Sequence, residues 1–257
     1  MMRRTIVLLR LAVLLVLLRA AGLADIIAVV VPGMSDLWLA GMPPGSRASG
    51  TDVAPDQSPV AVNGFSLQPG TVLTFSAVGL VSNGVCGPPF CPTFGPDGGI
   101  KPDEIPFFHE TGAENGISNL GAPINSLIGV FLGPGAPNLA PPTATLDFSS
   151  SAAQDYLTLS PLLQQSFFIG NGLTSEGIQQ QIVIPAGASR LYLGTMDGCC
   201  WLDNLGSFTV QVSEASEVPE PSTALLLGFG LLLLAVIVVL KGTATSLRIS
   251  GRGRSSG

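Results

Sequence analysis

Apolar residues fall along this chain in three regimes: a greasy run at each end, and between them short apolar or alternating stretches cut by Gly, Pro, Asn and Asp. In the middle, Thr71–Gly79 (TVLTFSAVG), Ser126–Gly133 (SLIGVFLG), Gln180–Gly194 (QQIVIPAGASRLYLG) and Gly206–Ser213 (GSFTVQVS) are the clearest strand candidates. Their β-branched and aromatic residues suit a pleated surface, and turn formers bound them. Phe208, Val210 and Val212 alternate with Thr209 and Gln211, which predicts one face on a core and one toward solvent. Ile184–Gly187 (IPAG) reads as a turn between two strands. No long middle stretch has helical periodicity, and Ser160–Gln165 (SPLLQQ) reads as a short turn. The pattern predicts an all-β fold, a β-sandwich of about eight strands around one core, without internal repeats. Asp36–Pro59, rich in turn residues, is expected to lie over the surface.

The two ends read differently. Arg3 and Arg4, the apolar Leu11–Leu18 and the small-x-small Gly22-Leu23-Ala24 predict a cleavable signal peptide over residues 1–24. Arg10 and Arg19 interrupt its greasy stretch, which leaves it short for a membrane span. Ala224–Leu240 is a run of 17 apolar or Gly residues without a charge. With Ser222 and Thr223 it predicts a helix over 222–240 that comes close to crossing the ~30 Å hydrocarbon layer. Lys241, Arg248, Arg252 and Arg254 follow it and Glu214, Glu217 and Glu220 precede it, so the basic tail 241–257 is expected in the cytoplasm and the preceding domain outside it. The organisation expected is a leader (1–24), an exported domain (25–213) and a C-terminal anchor region (214–257) that opens with a short stalk.

Pro219-Glu220-Pro221, one apolar span and a basic tail, in that order, resemble a PEP-CTERM sorting signal. The resemblance covers about the last 40 residues. It implies an exosortase-type processing enzyme as partner and the envelope of a Gram-negative bacterium as location, anchored in the inner membrane through the C-terminal helix before sorting to the surface or matrix. The two prolines hold an extended, helix-incompatible stretch within reach of a membrane enzyme.

Charge sharpens this picture. The whole chain is formally −6, but Asp25–Pro221 holds all 17 acidic residues against three basic ones (Arg47, Lys101, Arg190), a formal −14 for the exported part. Such a surface repels nucleic acid, which is excluded as a partner, and suits a cation or simply solubility. The four cysteines, Cys86, Cys91, Cys199 and Cys200, all lie in this segment, where disulfides persist. Two arrangements are open: Cys86 with Cys91 plus an adjacent Cys199–Cys200 pair, or two links between the loops. A single His argues against zinc.

Candidate chemistry concentrates in Gly194–Val212 (GTMDGCCWLDNLGSFTVQV), where Asp197, Asp203 and Asn204 lie between two strands. Clustered oxygen donors with backbone carbonyls are what calcium needs for its roughly six to eight ligands, although Asp, Asn and Gly also make ordinary turns. LQPGTVLTFSAVGLVSNG, FGPDGG, APINSLIGVFLG, ASRLYLGTMDG and DNLGSFTVQV, in that order over Leu67–Val212, resemble the calcium-dependent galactose-binding lectins of bacteria, small sandwiches of the galactose-binding-like group. The resemblance implies calcium ligands at Asp197, at Asp203 with Asn204, at a carbonyl of Trp201 or Cys200, and at Asn83. Where that family carries a His and a Gln for the sugar, this chain has Lys101 and Glu104, so a galactose preference does not carry over. Trp201 either stacks on a sugar ring or packs over the sandwich end.

Other chemistry has weaker support. His109, beside Glu110, has no nucleophile signature to serve and reads as a solvated loop residue. Asp103, Glu104, Glu110 and Glu114 form a charged loop unless folding sets two of them as a glycosidase pair. Gly170 and Gly172 read as turn glycines. The expectation is therefore a non-enzymatic exported protein that binds carbohydrate, an envelope or matrix polysaccharide, with calcium support through Asp197, Trp201 and Asp203. The alternative is a structural or adhesive component of the extracellular polysaccharide matrix.

Overall fold

The computed structural model describes residues 26–215, apart from 51, 54–58, 65, 85–91 and 100–107, together with Gly230. The expected leader, the Pro219-Glu220-Pro221 motif, the helix over 222–240 with its basic tail, Cys86, Cys91 and the Lys101–Glu104 loop lie outside the described residues. Among the described residues, no helix is long and apolar enough to cross a membrane. The chain divides into two compact units, Met1–Ala215 and Ser216–Gly257, and every described strand belongs to the first.

Twelve strands are present among the described residues, numbered in chain order. One sheet contains β1 (Ile26–Pro32), β3 (Val72–Ser82), β4 (Thr93–Phe94), β8 (Thr158–Leu159), β10 (Gln181–Val183) and β12 (Leu205–Glu214). Its order is β1-β12-β3-β10-β8, with β4 also on β3. The second sheet runs β2 (Val60–Val62), β11 (Arg190–Thr195), β6 (Leu127–Leu132), β9 (Ser166–Phe168). A small parallel pair joins β5 (Leu120–Gly121) to β7 (Leu146–Asp147). Most neighbours are antiparallel, and β12 pairs along its length with β1 on one side and β3 on the other. The four strand stretches expected from sequence all contain strands, and Ile184–Gly187 separates β10 from β11. Eight was too few: several of the added strands are two or three residues long, below the length at which alternation is readable.

The two sheets face one another across the main core. Val31, Leu73, Phe75, Phe208, Val210 and Val212 from one sheet meet Val62, Leu127, Phe131, Phe167, Leu191 and Leu193 from the other. The alternation in β12 comes out as expected, with Phe208, Val210 and Val212 buried and Thr209 and Gln211 exposed.

A second core corrects the single-core expectation. All six residues of β6 are buried, because Leu127 and Phe131 face the main core while Ile128, Val130 and Leu132 enter another cluster with Leu37, Trp38, Ile117, Leu120, Phe148, Phe168 and Trp201. A continuous apolar strand is the signature of a sheet covered on both faces. The cover includes the start of the segment expected at the surface: Leu37, Trp38, Leu39 and Ala40 are all buried. The Asp36 carboxylate accepts the Trp38 N–H at 2.9 Å, which caps a 3-10 turn over Leu37–Leu39 and turns Trp38 inward. The indole Nε1 then donates to Ser118 O at 3.1 Å, so the burial leaves no unpaired donor on the ring. A single helical turn, α1 (Ser151–Gln154), is capped by Ser150, whose Oγ accepts the Ala153 N–H.

Candidate functional site

Four strand ends meet at one edge of the sandwich. Gly33 follows β1, Asn83 follows β3, Asp197 lies two residues beyond β11, and Asn204 immediately precedes β12. Backbone and side-chain bonds hold these ends together: Gly33 N donates to Gly206 O at 2.9 Å, and Thr195 Oγ1 donates to Gly33 O at 2.6 Å. Between Asp197 and β12 the chain makes a 3-10 turn, Trp201–Asp203.

Asp197 is the hub. Its Oδ1 accepts from Asn83 Nδ2 at 2.8 Å and from Gly198 N at 2.7 Å. Its Oδ2 accepts from Asn204 Nδ2 at 2.8 Å. Asn204, fully buried, also donates to Gly33 O at 3.2 Å, and its Oδ1 accepts the Gly84 N–H at 3.4 Å. Asn83, Asp197 and Asn204, three of the four residues expected to bind a metal, are thus brought into one hydrogen-bonded group. The fourth, Asp203, is exposed, and among the described residues no hydrogen bond ties its carboxylate to the group. Carbonyl oxygens of Cys200 and Trp201, the expected backbone ligands, accept N–H bonds from Asp203 at 3.3 Å and Asn204 at 3.1 Å; each keeps a second lone pair.

This donor set suits a hard cation. It combines one carboxylate, two carboxamides and nearby carbonyls, all oxygen chemistry, and lacks the thiolate and imidazole groups that softer metals prefer. Among the described residues, no group of three or more His, Cys, Asp or Glu side chains is placed to hold a metal, so such a site would rest on the single Asp197 carboxylate with amide and carbonyl oxygens.

Beneath the loop lies a layer that the sequence did not reveal. Trp201 is fully buried, with Nε1 donating to Thr195 O at 3.0 Å. Its ring packs at 5.6 Å from Trp38 and from His109. Trp201 therefore anchors the loop to the second core, and the expected sugar-stacking face is not at the surface. His109 is also a correction. It is 1% exposed and stacks on Trp38 at 3.9 Å. Its Nδ1 lies 2.7 Å from Gly112 O, and Nε2 lies near Ser49 Oγ and Thr111 Oγ1. Burial holds the imidazole neutral, lowering its pKa from 6.5 to about 4. The next residue joins this segment to the site, since Glu110 N donates to Gly198 O at 3.1 Å.

Two more buried carboxylates belong here. Asp52 accepts from Trp201 N at 2.9 Å and Leu202 N at 3.1 Å, which fixes the start of the 3-10 turn. Asp36 has its pKa raised well above the usual carboxylate value by burial, with Asp52, Glu114 and Asp197 adding like charge. Its Oδ2 lacks a hydrogen-bond partner, as do both amide atoms of the fully buried Asn125. Asn125 N donates to Met196 O at 2.7 Å, one residue before Asp197. Neither Asp52 nor Asn125 stands in a pattern that sequence alone marks, because each acts through residues far along the chain. Unpaired polar atoms and like charge acting on Asp36 mark this as a polar pocket under electrostatic tension.

The cysteines expected to pair are only partly visible. Cys199 is half-buried and Cys200 exposed, both as thiols, with their sulfurs 2.6 Å apart. Burial, with Cys200 and nearby Glu110 and Asp197 contributing, pushes the Cys199 thiol up to about 12.

No protein-family model matches this chain, and no curated protein matches it. Among solved structures, the chain is similar to the N-terminal domain of EclA, described as a PllA-like lectin. The identity is 18%, the match covers 74% of this chain and 98% of that one, and the TM-score is 0.34.

Proposed function

We propose that this chain is an exported binding protein in which Asp197, Asn204 and Asn83 hold calcium that helps it bind carbohydrate. The observation that carries the reading is the convergence of Asn83 and Asn204 on the Asp197 carboxylate across 114 and seven residues of chain. With the carbonyls of Cys200 and Trp201, these side chains supply the oxygen donors that calcium takes. Bound calcium would offer remaining coordination positions to neighbouring hydroxyls of a sugar. An envelope or matrix polysaccharide is the ligand class that fits an acidic exported domain, and the Pro219-Glu220-Pro221 region supports processing by an exosortase-type enzyme after anchoring in the inner membrane. No catalytic step is part of this reading.

The test is thermal melting of the full chain in calcium and in chelator, followed by a glycan array under both conditions. At calcium about 100-fold above Kd, binding to the native state adds about 2.7 kcal/mol. That corresponds to a rise of roughly 5–10 °C for a domain this size. Asp197→Ala and Asn204→Ala should each remove the rise, and glycan signals should vanish with chelator. An unchanged melting temperature at millimolar calcium would overturn the metal assignment.

A second reading, an adhesive matrix component, is favoured by the outer face of the larger sheet. Ile26, Val30, Val78 and Leu80 are exposed there, with Ala28, Thr209, Gln211 and Ser76 around them. No charged residue stands among these positions although the exported segment is strongly acidic. This reading expects matrix association to survive Asp197→Ala with Asn204→Ala.

A further inference from the structure

Cys199 and Cys200 sit on the rim of the same loop, and the metal reading gives them no part. Their sulfurs are 2.6 Å apart, with no third residue between them in the chain. Cys200 has φ 65° and ψ 40°, a left-handed conformation that costs a non-glycine residue roughly 1–2 kcal/mol. The turn has a visible consequence. It directs the next two amides, Trp201 N–H and Leu202 N–H, onto the two oxygens of the buried Asp52, and from there the 3-10 turn runs to Asn204. The Asp52 bonds hold the far side of this turn; at the exposed side chain of Cys200 the group in reach is the neighbouring sulfur.

We propose that Cys199 and Cys200 are joined as a disulfide between adjacent residues, and that the resulting small ring locks the left-handed turn that seats residues 201–204. The ring and the lock do not need the metal; their effect on calcium rests on the reading above. Oxidation proceeds by exchange with an oxidant of the disulfide class. The exposed Cys200 sulfur, as thiolate, attacks one sulfur of the oxidant, forming a mixed disulfide and releasing one thiol. Cys199 sulfur, on losing its proton, then attacks Cys200 Sγ and releases the second thiol. Two protein thiols lose two electrons and two protons, and the oxidant disulfide becomes two thiols.

Adjacent Cα atoms lie about 3.8 Å apart, below the roughly 4.4–6.8 Å span of ordinary disulfides. A bond closed over that distance is more easily reduced than a relaxed one, so the ring makes the loop responsive to the redox state outside the cell membrane.

The experiment uses the full chain purified without reductant. Alkylation before and after reduction, followed by peptide mapping, reads the pairing. Hydrogen exchange then compares the Trp201 and Leu202 amides in wild type and in Cys199→Ser/Cys200→Ser, with calcium and with chelator. The expected result is a Cys199–Cys200 peptide that alkylates only after reduction, and exchange about tenfold faster in the variant in both media, with a smaller calcium-induced melting shift. Both cysteines alkylating at once, or either bridged to Cys86 or Cys91, would overturn the ring. Equal exchange in the two proteins would overturn the lock. A clear exchange difference with no calcium response in either protein sustains the lock and sinks the metal reading.

Discussion

His109 should govern how the domain responds to acid. It is 1% exposed, stacked on Trp38 and close to Trp201, with Nδ1 bonded to Gly112 O. That bond requires the Nδ1–H donor, which neutral imidazole supplies, so charging the ring gains little at Nδ1 while losing hydration. The folded pKa is accordingly depressed from 6.5 to about 4. Because the unfolded chain takes up the proton more readily, the contribution of neutral His109 is full above about pH 6.5 and is lost as pH falls toward 4. Lowering the pKa from 6.5 to about 4 corresponds to roughly 3 kcal/mol, a large share of the about 5–15 kcal/mol that holds a domain together. Asp36 works in the other sense. Its folded pKa is raised by burial, so its contribution is full below its unfolded value of 3.8 and is lost as pH rises through the folded value. A bare pH profile would mix the two. Urea unfolding of wild type and His109→Gln at pH 7.5 and pH 4.5 separates them, since Asp36 is common to both. The stability gap between the two proteins should narrow by about 2–3 kcal/mol on acidification. Profiles that stay parallel would refute the claim that the buried ring is held neutral.

Two further substitutions probe the sandwich and the loop. Gly172 has φ +88°, and a Cβ there would stand 1.8 Å from Phe75 O in the middle of β3, so Gly172→Ala should cost about 2–4 kcal/mol. A urea midpoint within experimental error of wild type would show that β3 can move aside. Asp52→Ala leaves the Trp201 and Leu202 N–H groups without their acceptor, at about 1–3 kcal/mol for each group that stays buried. The same variant should weaken the calcium-induced melting shift, and an undiminished shift would detach the 3-10 turn from the metal site.

The parts of this fold that could be read from sequence are those encoded locally. Phe208, Val210 and Val212 alternate because β12 has one face on the main core, and a period of two needs only a few neighbours to be seen. Leu127–Leu132 was legible as a strand, yet its unbroken apolar run also signalled cover on both faces, which an eight-strand sandwich with one core does not provide. The cover itself was not legible. Turn-rich composition argues for a surface loop on average, but burial of Leu37–Ala40 depends on Trp38 meeting Ser118 across 80 residues. The candidate site divides in the same way. Asp197 and Asn204 lie in one short loop, while Asn83 joins them from the end of β3 and entered through a family resemblance. Asp52, 149 residues from the amide it accepts, had no such guide.

The burial of Trp201 bears directly on the calcium reading proposed above. A loop carrying Asp197 near other carboxylates brings like charges together, and Asp52, Glu114 and Asp197 add to the burial that raises the Asp36 pKa. Hydrogen bonds from Asn83, Asn204 and Gly198 meet part of that cost at Asp197. Packing also holds the loop, with Trp201 fixed between Trp38, His109 and the end of β11. Had Trp201 been displayed to stack on a ligand, the loop would lose this anchor and the negative groups would be freer to separate. The residue that composition offers as a ligand-stacking surface is instead the one that keeps the oxygen donors together. On the calcium reading, a cation would find Asn83, Asp197 and Asn204 already gathered, with the two carboxamides turning their oxygens toward it, so less of its binding free energy would be lost to ordering the loop. On this account, loosening the aromatic layer by protonating His109 and loosening the rim by opening Cys199–Cys200 should weaken calcium binding through the same backbone, residues 198–204, although the two perturbations act on its opposite sides.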